Sequence, residues 1–317
     1  MTMGNILVES NKFPVQVLLA TYNGENYLQE FLNSLSLQHG VEVELLVSDD
    51  SSTDDTLNIL RRNKARFSKC TILTGPGQGP MANFLHLTQF ADGEYIAFAD
   101  QDDLWDMNHL SNSCFRLANF NNVPALSFSR VNEFNAFTPT KKLWPSFNEI
   151  PSIQLFFAQN FARGCTIVFN KALLYELKSY RPRNAIMHDW WILLIAYSIG
   201  EVTYSDTPEV DYRVHENNFT KKVNQNRFLQ ILTTAKKKWD PHLQLQELAS
   251  NYGDKMHKDT YKLILSFVDG CSGSFIQRFI YVLNFNIRFR EKRVDDVLVR
   301  ARILFQPFFQ ERREVEI

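Results

Sequence analysis

Tyr95-Ile96-Ala97-Phe98-Ala99-Asp100-Gln101-Asp102-Asp103-Leu104-Trp105 joins an apolar run to three carboxylates within four residues. The apolar half, bounded by polar residues, reads as a buried strand whose carboxyl end falls at the acidic cluster. Carboxylates this close repel one another unless a cation joins them. Hard oxygen donors suit Mg²⁺ or Mn²⁺, ions commonly bound by one or two carboxylates together with the phosphates of a substrate. The cluster is therefore a candidate metal–phosphate site, although Asp103 or Asp106 can serve simply to cap the next helix.

Outward from this stretch the same strand-then-helix unit recurs. Val15-Gln16-Val17-Leu18-Leu19-Ala20 reads as a strand, and Tyr27, Phe31, Leu32 and Leu35 then follow at helical spacing. A strand at 43–47, a helix at 54–67, a strand at 71–73 and a helix at 81–90 lead up to the strand at 95–99. Such alternation predicts a parallel, doubly wound α/β sheet. Ligands of these sheets bind beyond the carboxyl ends of the strands. Each unusual polar cluster lies at such an end: Thr21-Tyr22-Asn23-Gly24, Ser48-Asp49-Asp50-Ser51-Ser52, Gly75 to Gly79, and the acidic cluster. No G-x-G-x-x-G follows the first strand, which argues against a dinucleotide-binding oxidoreductase. Residues near 130–150 read as loop-rich, 165–169 as a strand, and a helix begins near His188. From Lys221 onward the pattern is helical and basic, without a clear strand.

With 317 residues, 44% of them hydrophobic, the chain can bury a sizeable core. Cys70, Cys114, Cys165 and Cys271 lie far apart and form no C-x-x-C pair, so neither a zinc site nor a disulfide framework is expected. Met1-Thr2-Met3-Gly4-Asn5 lacks the features of a signal peptide, and no apolar run has the length of a membrane span, which predicts a cytoplasmic protein. Charge is uneven. Residues 1–220 hold 16 Lys+Arg against 24 Asp+Glu, a balance of −8, and residues 221–317 hold 18 against 11, a balance of +7. An acidic front and basic rear suggest two parts with different partners, the rear meeting an anionic surface.

Three constellations add chemistry. The Asp50 carboxylate, at a strand end, can accept a hydrogen bond from the ring N3–H of uracil or thymine, with Thr21 and Asn23 adding polar contacts; the alternative for these residues is turn chemistry. His188-Asp189-Trp190-Trp191 opens an apolar helix, where an Asp is favoured by the helix dipole, which would keep it ionised. The two tryptophans suit the wall of a sugar pocket, and Asp189 can take a proton from an acceptor hydroxyl as a general base. In Tyr212-Arg213-Val214-His215, which ends the last strand of the first part, His215 can ligate a metal or donate to a phosphate, and Arg213 can neutralise a diphosphate through bidentate contacts.

Taken in order and spacing, Ala20-Thr21-Tyr22-Asn23-Gly24, Val47-Ser48-Asp49-Asp50-Ser51-Ser52-Thr53-Asp54, Ala99-Asp100-Gln101-Asp102-Asp103-Leu104-Trp105 and His188-Asp189-Trp190-Trp191 resemble glycosyltransferase family 2, of the GT-A fold. The closing Tyr212-Arg213-x-His215-x-Asn217-Asn218 resembles its bacterial rhamnosyltransferase branch. The resemblance covers residues 13–220 and implies a catalytic domain there, an α/β, Rossmann-like mixed and mainly parallel sheet flanked by helices, followed by a helical, basic region at 221–317. It implies inverting transfer of a sugar from a dTDP or UDP donor, with Mg²⁺ or Mn²⁺ as cofactor and Asp189 as the base. Asp50 would hold the pyrimidine, Asp100 the ribose or metal region, and Asp102 would be the main metal ligand, with His215. Gly164-Cys165, after Arg163, resembles a small-residue turn lining the donor sugar, and Asn83 matches a position near the nucleotide. The expected nucleotide-sugar site thus comprises Thr21, Tyr22, Asn23, Asp50, Asn83, Asp100, Gly164, Trp190 and Arg213. Two departures stand out: His188 occupies a position where the family often has Glu, and Gly75-Pro76-Gly77-Gln78-Gly79-Pro80 is unusually rich in Gly and Pro.

L-rhamnose from dTDP-rhamnose, moved to a hydroxyl of a growing O-antigen or capsular polysaccharide, is the reaction this branch implies. A UDP-glucose or UDP-galactose transferase and a degenerate nucleotide-sugar-binding protein are the alternatives. Lys236-Lys237-Lys238-Trp239 and the run from Phe275 to Leu283 mix basic and apolar residues at helical spacing. They read either as a solvated face or as a surface on anionic lipid at the inner face of the membrane, where a polyprenyl-linked acceptor would reside. No nucleic-acid-binding module is recognisable, so no nucleic-acid partner is expected.

Overall fold

A computed structural model describes residues 12–135, 138–215, 241–284 and 287–310. Asn217, Asn218 and Lys236-Lys237-Lys238-Trp239 lie outside the described residues.

The strands expected in the first hundred residues form as β1 (Phe13–Thr21), β2 (Val41–Asp49), β3 (Lys69–Thr74) and β4 (Tyr95–Asp100), all parallel, in the order β3-β2-β1-β4. Their connections are α1 (Leu28–Ser36), α2 (Thr56–Asn63) and α3 (Pro80–Phe90). α1 forms because Leu28, Phe31, Leu32 and Leu35 repeat at three- and four-residue spacing and make one buried stripe. Because the strands are parallel, the turns after β1 to β4 share one rim.

Alternate strand residues face opposite sides of the sheet. Leu18, Leu46, Ile96 and Phe98 join one core; Val17, Leu19, Val47, Ala97 and Ala99 join the other.

The second half of the sheet brings distant sequence to that rim. After β5 (Leu104–Trp105) and α4 (His109–Leu117) come β6 (Ala125–Asn135) and β7 (Thr138–Trp144), which pair antiparallel. The region expected to be loop-rich is therefore largely strand. Ser127, Ser129 and Arg130, polar in sequence, are all buried on β6. The strand expected at 165–169 begins later: Gly164–Thr166 makes a tight turn, and only Val168–Asn170 is strand β8, antiparallel between β4 and β6. Thr166 donates to the Arg163 carbonyl through both its N–H and its hydroxyl (2.9 Å each), which favours the turn. α5 (Ile153–Ala158) precedes that turn; α6 (Lys171–Ser179), capped by Asn170, and α7 (His188–Ile199) follow β8.

β9 (Glu201–Arg213) runs parallel to β6 and pairs antiparallel with β5, so that Asp211 faces Leu104. This pairing carries residues 211–215 to the acidic loop. β9 is held in place by Glu209, buried at 4% exposure, which accepts two bonds from Arg116 on α4 (2.7 and 2.8 Å) and lies 3.2 Å from the His109 ring. Burial alone would raise the pKa of Glu209; the bonds from Arg116 and His109 outweigh it and hold the group at about 2.

The described part of the rear is helical: α8 (Pro241–Tyr252), α9 (Lys258–Ser272), α10 (Phe275–Val282) and α11 (Arg293–Gln310). Leu245, Leu248, Phe267, Val299 and Ile303 from these helices join the same core as Trp191 and Leu193 of α7. Among the described residues no helix is long and apolar enough to cross a membrane.

Candidate active site

The acidic loop is clamped from β9. The backbone N–H of Arg213 donates to Asp103 Oδ1 (2.9 Å), its Nε to the Asp102 carbonyl (2.9 Å), and its Nη2 to Glu30 (2.6 Å). The same guanidinium lies over the rings of Tyr27 (5.0 Å) and Phe134 (4.7 Å). Expected to neutralise a diphosphate, Arg213 is instead committed to anchoring the loop. Two residues further, His215 stacks on Tyr27 and puts Nε2 2.6 Å from Asp102 Oδ2. A residue pair 113 positions apart in sequence thus meets on the partly exposed rim.

Asp103, fully buried, is no helix cap. Burial and the charges of Asp102 and Asp100 push its pKa well above the carboxylate range. Asp100, half-buried, is raised to about 7 by burial and then by the negative charges of Asp102 and Asp189, with Arg163 opposing. Donor atoms of Asp100, Asp103 and Cys165 lie within 4.8 Å of one another. Burial and the neighbouring acids drive the Cys165 thiol far up, so it stays protonated and is a poor ligand for a hard cation. Asp102 and Asp100 put carboxylate oxygens at the rim, the donor type that suits Mn²⁺ or Mg²⁺, with the His215 imidazole 2.6 Å from Asp102.

Asp189 stands in the first turn of α7, where Oδ1 accepts the backbone N–H of Trp190 (2.7 Å). Burial raises its pKa to about 6 against that bond, the charge of Arg163, and contacts from Asn160 and Gly164. The helix terminus alone does not set its charge, as the sequence had implied; burial is the larger influence. Gly164 approaches so closely that a Cβ there would sit 3.0 Å from His188 Nε2 and 3.7 Å from the Asp189 Cβ. His188 stacks on Phe84 (3.9 Å), and neither ring nitrogen has a hydrogen-bond partner. Burial lowers its pKa to about 3, so the ring is neutral.

The tryptophans make no open sugar-pocket wall. Trp190 is 4% exposed and gives its indole N–H to the Phe156 carbonyl (2.7 Å), and Trp191 is fully buried near Tyr252. Both belong to the core because α7 is apolar on every side.

At the other end of the rim, Thr21 donates to Asp49 (2.8 Å), which also accepts the Ser52 hydroxyl (2.6 Å) and N–H (2.8 Å). Asn23, at φ 44°, accepts the Thr53 N–H (2.9 Å) and gives its own N–H to Ser52 (2.9 Å). Turn chemistry accounts for both residues. The backbone of Tyr22 exchanges two bonds with the Gln101 amide (3.0 and 2.9 Å), leaving its ring 59% exposed. Asp50 accepts the N–H groups of Gly77 (2.8 Å) and Gly79 (3.0 Å), both glycines at positive φ, so its first partner is the glycine loop. Asn83 donates to the Ser48 carbonyl (2.9 Å), while its own carbonyl oxygen and the Ser48 hydroxyl are buried without partners. A separate cavity of about 400 Å³, lined by Asp49, Ser52, Thr74, Arg61 and Lys64 among others, includes neither Asp102 nor Asp189.

Arg163 is the site residue that sequence reasoning missed as a cation. Its guanidinium lies between Trp144 and Tyr212 (4.5 Å to each ring), with Nη2 2.9 Å from Glu133. Its positive charge reaches both Asp100 and Asp189. No local pattern announces this, since its partners come from β6, β7 and β9.

The fold recurs in solved transferases. Staphylococcus aureus TarS 1-349, solved with UDP-GlcNAc, superposes at TM-score 0.59 with 17% identity, over 94% of this chain and 88% of that one. The mannosyltransferase PcManGT from Pyrobaculum calidifontis, solved with GDP-Man and Mn²⁺, gives TM-score 0.53 and 18% identity over 93% and 86%. The architecture is therefore that of the GT-A transferases. In sequence, the chain is 34% identical over 215 residues to the dTDP-rhamnosyl transferase RfbG of Shigella flexneri, spanning 63% of this chain and 72% of that protein. With residues 16–178 matching as well, the chain belongs to glycosyl transferase family 2.

Proposed function

We propose that this glycosyltransferase moves L-rhamnose from dTDP-rhamnose, with inversion, to a hydroxyl of a growing cell-surface polysaccharide, O-antigen or capsule, whose polyprenyl-linked end is the acceptor. The observation that supports the reaction type is the meeting of Asp102 and His215, 2.6 Å apart, with Asp100 within reach of the charges of both Asp102 and the separate buried carboxylate Asp189. The sugar rests on the 34% identity to RfbG.

Asp189 takes the proton of the acceptor hydroxyl as its oxygen bonds to the anomeric carbon and the bond from that carbon to the diphosphate breaks. One displacement of this kind inverts the anomeric centre and needs no covalent intermediate. Asp102 and His215, with Asp100, would hold a divalent cation, which when bound offsets the negative charge that develops on the diphosphate. Arg163, fixed by two rings and Glu133, supplies a permanent positive charge between the two acid groups. Tyr22, Asp50 and Asn83 border the nucleotide end, where the exposed Tyr22 ring offers a stacking face and the unpartnered Asn83 oxygen an acceptor. We assign transfer to residues 13–220 and place the enzyme at the inner face of the membrane.

Release of nucleoside diphosphate from dTDP-β-L-rhamnose, UDP-glucose and UDP-galactose, each with Mn²⁺ or Mg²⁺ and with EDTA, tests this reading. Metal-dependent release from dTDP-rhamnose above the others supports it. Preference for a UDP-hexose overturns the sugar, and release indifferent to EDTA overturns the metal.

A further inference from the structure

We propose that the outer face of α10 is a docking surface for an anionic lipid bilayer. Phe275, Ile276, Phe279, Ile280 and Leu283 are 47%, 68%, 45%, 65% and 49% exposed. At this spacing they lie along one side of the helix. The opposite side turns inward Arg278 and Val282, each 6% exposed. The helix is thus inverted, with its apolar stripe in water and an arginine in the protein. Soluble monomers rarely expose contiguous apolar patches of this kind without a partner for them.

The orientation is built in. A capping box starts the helix: the Ser274 hydroxyl accepts the Gln277 N–H (3.4 Å), and the Gln277 side chain accepts the Ser274 N–H (2.8 Å). Further along, Tyr281 packs so tightly on Gly270 of α9 that a Cβ there would strike its ring. α11, which packs along α10, adds Val294 and Val297 at 70% and 62% exposure.

Charge identifies the occupant. The run from Phe275 to Leu283 contains no acid, and its one cation, Arg278, is buried. Arg288, Lys292 and Arg293, just after the helix, are exposed. Exposed apolar side chains flanked by cations are what the headgroup and acyl boundary of an anionic membrane takes up. Self-association through this face would bring like charges together, which disfavours a second copy as the partner. The described rear residues, 241–284 and 287–310, hold ten Lys+Arg against seven Asp+Glu, whereas residues 1–220 hold 16 against 24, so the lipid would attract the rear helices rather than the acidic front. Only the purpose of this docking, bringing the catalytic rim to a lipid-linked acceptor, rests on the transferase reading.

The test is sedimentation of the full chain with phosphatidylcholine vesicles containing about 30% phosphatidylglycerol, an anionic surface that attracts basic segments. Wild type is expected to pellet with these vesicles and not with pure phosphatidylcholine. Ile276→Asp/Ile280→Asp should lower the partition coefficient by more than about tenfold with unchanged thermal melting and donor hydrolysis. Each of Arg288→Gln, Lys292→Gln and Arg293→Gln should weaken it by about fivefold. Should the Asp pair fail to fold, Phe279→Trp keeps the question answerable, because on adding vesicles its emission should shift to the blue by more than that of wild type. The proposal is overturned if wild type does not pellet, if the Asp pair binds as wild type does, if the Phe279→Trp variant gains no such shift with lipid, or if ultracentrifugation shows a dimer that the Asp pair dissociates. Binding needs no nucleotide, so its failure is distinguishable from failure of the transferase.

Discussion

Asp189→Asn removes the proposed base while preserving shape, because an amide oxygen can still accept the Trp190 N–H that meets the carboxylate at 2.7 Å. General-base catalysis contributes roughly 10²–10⁴-fold, or about 3–5 kcal/mol of barrier, so kcat should fall on that scale while donor affinity, read by calorimetry, stays put. The same carboxylate predicts a pH profile. With its pKa near 6, the group is about nine-tenths ionised at pH 7 and about one-tenth at pH 5, so wild-type kcat should drop nearly tenfold over that interval. Arg163 lowers this pKa, and its removal in Arg163→Met should move the acid limb to higher pH. Initial rates are measured at saturating Mn²⁺, where a bound cation keeps Asp100 ionised and its own titration out of the profile. An Asn variant within a few-fold of wild type, or a profile flat between pH 5 and 7, would refute the assignment.

The metal set is tested by Mn²⁺ titration followed by electron paramagnetic resonance: Asp102→Asn and His215→Ala should each weaken binding by about tenfold or more, and EDTA should abolish transfer. Glu209, depressed from 4.5 to about 2, contributes stability that is fully present above about pH 4.5 and lost as pH falls through about 2. The shift corresponds to about 3 kcal/mol, so the gap in unfolding free energy between wild type and Glu209→Gln should shrink by about that much over this window in urea melts. Gly164→Ala puts a methyl 3.0 Å from His188 Nε2; if that turn lines the donor sugar, kcat should fall more than the roughly 1–3 kcal/mol loss of stability typical of overpacking would explain, with kinetics and melting measured on the same samples.

The parallel half of the sheet was legible because its strands are rich in apolar residues at regular intervals and α1 carries a four-residue stripe. Its second half was not. On β6 the inward polar positions are serines that mimic a loop; the hydroxyl of Ser127 is satisfied by Arg116, which lies on another element. Only tertiary partners make such a strand possible, and a local pattern holds no trace of them. The turn at Gly164–Thr166, which the resemblance named, shortens the strand expected at 165–169, since its bonds run back to the preceding arginine rather than along a ladder.

Residue type picked out the strand ends that the parallel strands bring to one rim, but could not distribute roles among them. A carboxylate or amide at a strand end has equal chemistry for a nucleotide and for the next loop, and which it meets depends on reach. Thr21 and Asn23 find Asp49, Ser52 and Thr53 within 2.9 Å, so the loops after β1 and β2 brace each other. The two arginines show the same logic from opposite sides. Arg213, two residues before His215, gives its donors to Glu30 and the acidic loop, whereas Arg163 is steered by aromatic rings from two other strands to where its charge reaches both Asp100 and Asp189. Such a cation becomes visible only once the sheet has closed. If anchoring is all that Arg213 does, replacing it should loosen Asp102 and His215 together and cost metal affinity, whereas replacing Arg163 should spare the metal and shift the pH profile.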